Sequence, residues 1–190
     1  MNTPTHLLIS AALLARKGMP RRNVAVLAGA IIPDLSMFVL FGWAKLIAGI
    51  PEQTLWGDVY WQEPWQTLSA ISNSIPLFGV LFVLGVLLRG PLLWLFALSA
   101  LLHLLCDFPL HNDDAHQHFW PLTDWRFHSP FSYWDGRHYG GIVRILEVAI
   151  GVVCAAVLWR RFRALWVKCI LALAFSLYVL VPLYFVVSLR

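Results

Sequence analysis

The sequence predicts an all-α fold: a polytopic integral membrane bundle of about six helices, closed by a folded outer loop rich in aromatic residues and histidine. Three observations predict it. Of 190 residues, 59% are hydrophobic and only 13% are charged, with a mean hydropathy of +0.70. A soluble domain averages about 45–50% apolar and about 25% charged, so a water-soluble globule and a disordered chain are both excluded. Ten residues are tryptophan, whose amphipathic ring favours the bilayer interface. The apolar residues also fall in runs that approach the ~20 residues a bilayer core requires. A chain of 190 residues fits a single domain, 1–190.

The elements follow from where those runs stop. The first, Thr5 to Ala15, is short and is closed by Arg16, Lys17, Arg21 and Arg22. The second, Val24 to Ile50, is expected to break at Pro33-Asp34, where proline removes a helix donor and Asp can cap a new start. The third, Ile75 to Leu88, ends at Arg89-Gly90-Pro91, and the fourth runs from Leu92 to Leu110. The fifth, Ile142 to Trp159, stops at Arg160, Arg161 and Arg163, and the sixth covers Ala164 to Leu189. Two long loops remain, Pro51 to Ser74 and His111 to Gly141. Loops of that length in a small domain are usually functional or mobile, and the second is expected to fold back as a lid.

Orientation follows from the charges. Eight basic residues and no acid occupy alternate loops: Arg16, Lys17, Arg21, Arg22, Arg89, Arg160, Arg161 and Arg163. Glu52, Asp58, Glu63, Asp113, Asp114, Asp124 and Asp135 lie in the others. The positive-inside rule then puts the basic loops in the cytoplasm and both termini outside, as in a bacterial-type inner membrane. Membrane lipids are the expected partners. Nucleic acid is not, because no basic stripe exists to track phosphates. Cys106, Cys154 and Cys169 show no CxxC spacing and read as small buried apolar side chains. Met1 to Ala15 lacks a basic leader, so no cleavable signal peptide is expected there.

Ionisable groups at membrane depth are costly and mark functional sites. His6, Asp34, His103 and Asp107 are such groups. Counted from the basic ends at ~1.5 Å per residue, they sit roughly 15, 18, 21 and 27 Å deep, so they can meet. His103-x3-Asp107 also places an imidazole and a carboxylate one turn apart on one face. Two readings fit these residues: a structural His–Asp hydrogen bond, or a metal site. His111, Asp113, Asp114, His116 and His118 follow at once. Zinc takes three or four such ligands, so the run holds enough for one or two ions. By the same token, His116 and His118 also fit a solvated loop.

The stretches TPTHLLIS, GAIIPDLS, LLHLLCD and FWPLTDWRF resemble those of the YdjM-like family of membrane-bound metal-dependent hydrolases, itself similar in pattern to zinc-dependent phospholipase C. The resemblance covers the first ~35 residues and Leu101 to Phe127. It implies metal ligands at His6, Asp34, His103 and Asp107, with His111 and Asp114 as further members in a subgroup. One motif departs. Where the family carries HRGxTHS, this chain has SAISNSIPLF, without histidine. Either His111, His116 or His118 replaces the missing ligands, or one metal or the activity has been lost.

The working expectation is a hydrolase with a divalent ion, zinc by preference, that lowers the pKa of a bound water toward ~7. Asp114 completes the shell or acts as general base. Arg126 grips a phosphate through its planar fork, or anchors the loop. The aromatic residues Phe119, Trp120, Trp125, Phe127, Phe131, Tyr133 and Trp134 would cover the site, so a lipid or other amphiphilic phosphoester is the expected substrate. The competing expectation is a non-catalytic membrane protein whose polar core fixes helix packing or a regulatory contact. A transporter would need paired broken helices in two halves, and only Pro33-Asp34 suggests one.

Overall fold

The computed structural model describes residues 1–173 and 176, and these are helical without strands. In chain order the helices are α1 (Thr3–Leu14), α2 (Pro20–Leu46), α3 (Glu52–Gly57), α4 (Glu63–Ser72), α5 (Ile75–Leu87), α6 (Pro91–Asp107) and α7 (Gly140–Arg161). Among the described residues, four stretches are long and apolar enough to cross a membrane: Pro20–Leu46, Glu63–Leu87, Pro91–Leu110 and Gly140–Arg161. The chain is a helical membrane bundle, with α1 a shorter apolar helix inside it. The expected sixth helix is helical over 165–173, and the rest of its span, apart from residue 176, lies outside the described residues.

Proline stands in the first turn of α1, α2, α4, α5 and α6. There its missing N–H costs nothing and its fixed φ pre-forms the helix. Much of what packs where α2 meets α6 is small or polar. Gly29, Ala30, Ala97, Ser99 and Ala100 are buried, whereas Val24, Leu27, Phe38, Val80, Val83, Leu105, Ile145 and Val153 are exposed. That inversion of the soluble pattern is expected when lipid is the solvent and small residues let helix backbones approach. The tightest approach joins α2 to α6: a Cβ on Gly29 would lie 2.1 Å from the Phe96 carbonyl oxygen. The Ser99 hydroxyl beside it donates to the Val26 carbonyl at 2.6 Å.

Two expectations are corrected. Helix α2 runs unbroken through Pro33. A proline is tolerated in a membrane helix when neighbouring groups satisfy the disturbed backbone. Here the Ala30 carbonyl, in the turn that the proline disturbs, takes His103 Nδ1 at 2.8 Å, while Ser72 Oγ and Asn73 Nδ2, at the end of α4, donate to the Pro33 carbonyl at 3.1 and 3.2 Å. The stretch Pro51 to Ser74 is also not an open loop. Helix α3 and a short 3-10 turn, Val59–Trp61, pack Leu55 and Val59 against Leu40 and Ala44 of α2. Helix α4 then leads to α5 through Asn73 and Ser74, where Ser74 Oγ caps α5 by accepting from Leu77 N–H at 3.1 Å.

The loop from His111 to Tyr139 has little regular structure but is held by its own hydrogen bonds, including Ser129 N–H to the His111 carbonyl and Tyr133 N–H to the Leu110 carbonyl. The cysteines are free thiols: Cys106 and Cys154 are half-buried and Cys169 is exposed, so they are not the buried set expected.

Contacts between helices place the basic clusters together. Arg161 Nη1 donates to the Ala15 carbonyl at 2.9 Å, joining the ends of α1 and α7. Helices α2 and α6 run parallel, Val26 facing Ser99 and Ala30 facing His103. Arg21 and Arg22, Arg89, and Arg160 and Arg161 therefore share one end of the bundle.

Candidate metal centre

Helix periodicity carries His103 and Asp107 to one buried face of α6, and α1 and α2 pack against that face. The depths counted along three separate helices agree in space. Asp107 is the hub. Its Oδ1 lies 3.0 Å from His6 Nε2, and its Oδ2 lies 3.0 Å from His103 Nε2 and 3.5 Å from His111 Nε2. Asp107 also pairs with the Met1 amino group. The His6 and His103 rings stack with centroids 3.5 Å apart and planes within 8°. Asp34 Oδ1 stands 3.5 Å from His103 Nε2, and its Oδ2 accepts from Thr3 Oγ at 2.5 Å.

Two of the imidazoles, His103 and His111, are aimed by what holds their other side. His103 Nδ1 lies 2.8 Å from the Ala30 carbonyl, which can only accept. Nδ1 therefore carries a proton, and Nε2, 3.0 Å from Asp107 Oδ2, donates to that carboxylate unless a metal takes the place of its proton. His111 Nδ1 lies 2.9 Å from Asp114 Oδ2, and its Nε2 has no hydrogen-bond partner. Histidine ligands are commonly set this way, one nitrogen pinned by a carbonyl or carboxylate and the other free for a metal. His6 Nδ1 is a further buried atom without a hydrogen bond.

The donor set fits a metal. One ligand atom from each of His6, His103 and Asp107 falls within 4.8 Å of the others. Two atoms bound ~2.0–2.1 Å from one tetrahedral zinc are themselves roughly 3.3–3.4 Å apart. The 3.0 to 3.5 Å separations around Asp107 are close to that edge length. Asp34 and His111 flank the trio and can complete it.

A cavity of about 930 Å³ adjoins this cluster and is lined by Asp34, His111, Asp113, Asp114 and His116 among polar groups. Its apolar walls include Leu7, Met37, Phe38, Trp56, Tyr60 and Trp61. Burial opposes charge on His111, but the Asp107 and Asp114 carboxylates beside it outweigh that and hold its pKa at about 9, so a metal at Nε2 would have to displace a proton. His116, its ring centroid 4.8 Å from that of His111, is pushed down to about 3, first by burial and then by His111 and His118. Burial would raise the Asp114 carboxyl, yet the His111 hydrogen bond brings it below the ordinary range. Asp114 is thus an ionised acceptor. Its Oδ2 also accepts from Trp134 Nε1 at 3.1 Å, and its Oδ1 is buried without a partner.

Other expected site residues do different work. His116 Nδ1 contacts Ser69 Oγ at 3.3 Å, and His118 Nδ1 lies 3.1 Å from the Asn73 carbonyl. Both tie the loop to the end of α4, and neither belongs to the metal-ready trio. Arg126 spends its guanidinium on the Ala115 carbonyl at 2.6 Å and Gln66 Oε1 at 2.9 Å, and it does not line the cavity. Of the expected aromatic cover, Tyr133 and Trp134 line the cavity. Phe119, Trp125 and Phe127 instead form a chain of ring contacts ending on Phe108.

The sequence reading also missed a buried acid. Glu147 of α7 is 2% exposed and accepts from Asn2 and Thr5 at the start of α1. A single acid inside the apolar run Ile142 to Trp159 was the available signal. No protein-family profile, curated protein or solved structure matches this chain.

Proposed function

We propose that this protein is a membrane-embedded metal-dependent hydrolase of the YdjM-like kind, acting on a phosphoester of a lipid or other amphiphile. The observation that carries the reading is the convergence of His6, His103 and Asp107, with Asp34 and His111 beside them, next to an aromatic-walled cavity of about 930 Å³. A divalent ion, zinc by the mixed imidazole and carboxylate donors, would be held by these residues and would supply a hydroxide at neutral pH and a Lewis acid for the ester. Asp114, ionised at the cavity wall, would take the proton from the attacking water. Asp114 also pins His111 Nδ1 at 2.9 Å, which would leave Nε2 to serve as a ligand. Tyr133 and Trp134 shield the reacting bond from bulk water.

The charge of the lining shapes the substrate reading. Among the described residues, the cavity wall includes Asp34, Asp113 and Asp114 and no lysine or arginine. The negative charge of a phosphoester would therefore be met by the ion, not by Arg126. The shared basic end of the bundle supports a bacterial-type inner-membrane orientation with that end in the cytoplasm and both termini outside. The site then opens toward the outer interface.

A second reading keeps the cluster without catalysis. Asp107 already receives His6, His103 and the Met1 amino group, so the polar core can balance its own charges and fix helix packing. One assay separates the two. Purified protein loaded with zinc or manganese is offered phospholipid micelles and a soluble phosphodiester. Hydrolysis that disappears in Asp107→Asn supports the enzyme, whereas stoichiometric metal with no turnover of any phosphoester supports the structural role.

A further inference from the structure

Helix α1 carries His6 but is poorly equipped to hold itself in place. It has 12 residues, its N-cap Asn2 makes no side-chain cap to the helix, and no acid lies in its first turn. An isolated helix shorter than ~12–15 residues is marginal. The missing end groups come from α7. Glu147 Oε1 accepts from the Asn2 backbone N–H at 2.7 Å, from Asn2 Nδ2 at 3.0 Å and from Thr5 Oγ1 at 2.9 Å. Its Oε2 takes Asn2 Nδ2 as well, at 3.1 Å. At the other end, Arg161 Nη1 donates to the Ala11 and Ala15 carbonyls at 3.3 and 2.9 Å.

The two ends match α1 in length and in sign. Glu147 and Arg161 are separated by ~21 Å along α7, and the 12 residues of α1 span ~18 Å. The acid meets the positive end of the α1 dipole and the guanidinium meets the negative end. Between them, Leu8, Ala11 and Ala12 of α1 pack with Cys154 and Leu158 of α7. Thr5 and His6 are adjacent, so the bond that fastens Thr5 to α7 sets the rotation of α1 that points His6 at Asp107.

We infer that α7 is a brace for the metal centre, with Glu147 and Arg161 as positioning residues that place His6 without touching the ion. The inference deepens the proposed function, because it rests on His6 being a ligand. Outer groups that orient metal ligands typically alter affinity 10–100-fold when removed.

The test is a cobalt(II) titration of the full chain in detergent, followed by its visible absorption, in wild type, Glu147→Ala, Glu147→Gln, His6→Ala and the double variant His6→Ala/Glu147→Ala. Glu147→Ala should weaken cobalt binding about 10–100-fold. Glu147→Gln, which keeps an acceptor oxygen of the same reach, should lose less. In the His6→Ala background the Glu147 change should add nothing, because its effect travels through His6. Wild-type affinity in Glu147→Ala, or a loss that adds in full to that of His6→Ala, overturns the inference and leaves the metal site standing. Amide exchange over Thr3 to Ser10 reads the brace without metal and should quicken in both Glu147 variants. If wild type binds no cobalt, the metal reading fails on its own, and unchanged exchange in those variants overturns the brace as well.

Discussion

The buried faces of α1, α2 and α6 and the loop that follows α6 carry the same residue types and use them differently. On the helices, His6, Asp34, His103 and Asp107 point at one another from rigid rods, and two of them are aimed by a further neighbour: Thr3 for Asp34, the Ala30 carbonyl for His103. In the loop, His116 and His118 are spent on Ser69 and on the Asn73 carbonyl. His111 alone bridges the two regions, with Nδ1 on Asp114 and Nε2 toward Asp107. The difference teaches that ligand density in sequence is not ligand density in space. A helix fixes where a side chain points, whereas a loop lets the same imidazole serve as a strut.

The largest effect that would break this comparison is at Asp107. Asp107→Ala removes the shared partner of three imidazoles, and breaking a buried pair costs about 3–5 kcal/mol. Thermal unfolding in detergent should show that loss, and metal content should fall with it. Retained metal would mean that the loop, not the helices, holds the ion. Next is Gly29→Ala. Its Cβ would strike the Phe96 carbonyl, α2 and α6 would separate, and the Ala30 carbonyl would leave His103 Nδ1. Overpacking of this kind costs about 1–3 kcal/mol, and metal affinity should drop although no ligand has changed.

His116→Ala and His118→Ala sharpen the contrast from the other side. Each should cost about 1 kcal/mol, the worth of an ordinary hydrogen bond, and leave metal stoichiometry intact. A metal loss equal to that of His103→Ala would erase the distinction between the regions. The smallest effect concerns the turn that returns the loop to α7. Hydrogen bonds from Arg137 and His138 hold the Asp135 carboxyl well below the ordinary carboxylate range. Its folded-state pKa is depressed, so its contribution is complete above the unfolded value of ~3.9 and is lost only as pH falls below it. Amide protection of Ser132 and His138 should therefore hold from pH 7 down to about 4, and Asp135→Asn should lower it throughout that range.

Much of the helical half was legible in the sequence. Apolar runs ended at prolines and basic residues, and a constant rise per residue turned distance from those ends into depth. That is why His6, Asp34, His103 and Asp107 could be matched across three helices. The misreadings have physical causes. Pro33 signals a break only if its surroundings are ignored, and His103, 73 residues away, holds the Ala30 carbonyl in the turn that the proline disturbs. The segment 51–74 looked like loop because α3 and α4 are short, and their packing on Leu40 and Ala44 is a tertiary fact. Arg126 had a chemistry suited to phosphate, but its actual partners, Ala115 and Gln66, lie at distances in sequence that no local pattern encodes. Glu147 was readable and was passed over, because its partners on α1 appear only when the helices pack.

The central question is whether the histidines of α1 and α6 share an ion. X-ray absorption at the metal edge, on protein purified with zinc in the medium, tests this directly. The predicted result is about one zinc per chain in a shell of nitrogen and oxygen at ~2.0–2.1 Å, lost in His103→Ala and Asp107→Ala but kept in His118→Ala. Negligible zinc in wild type and variants alike, or a shell unchanged by the loss of His103, would contradict it.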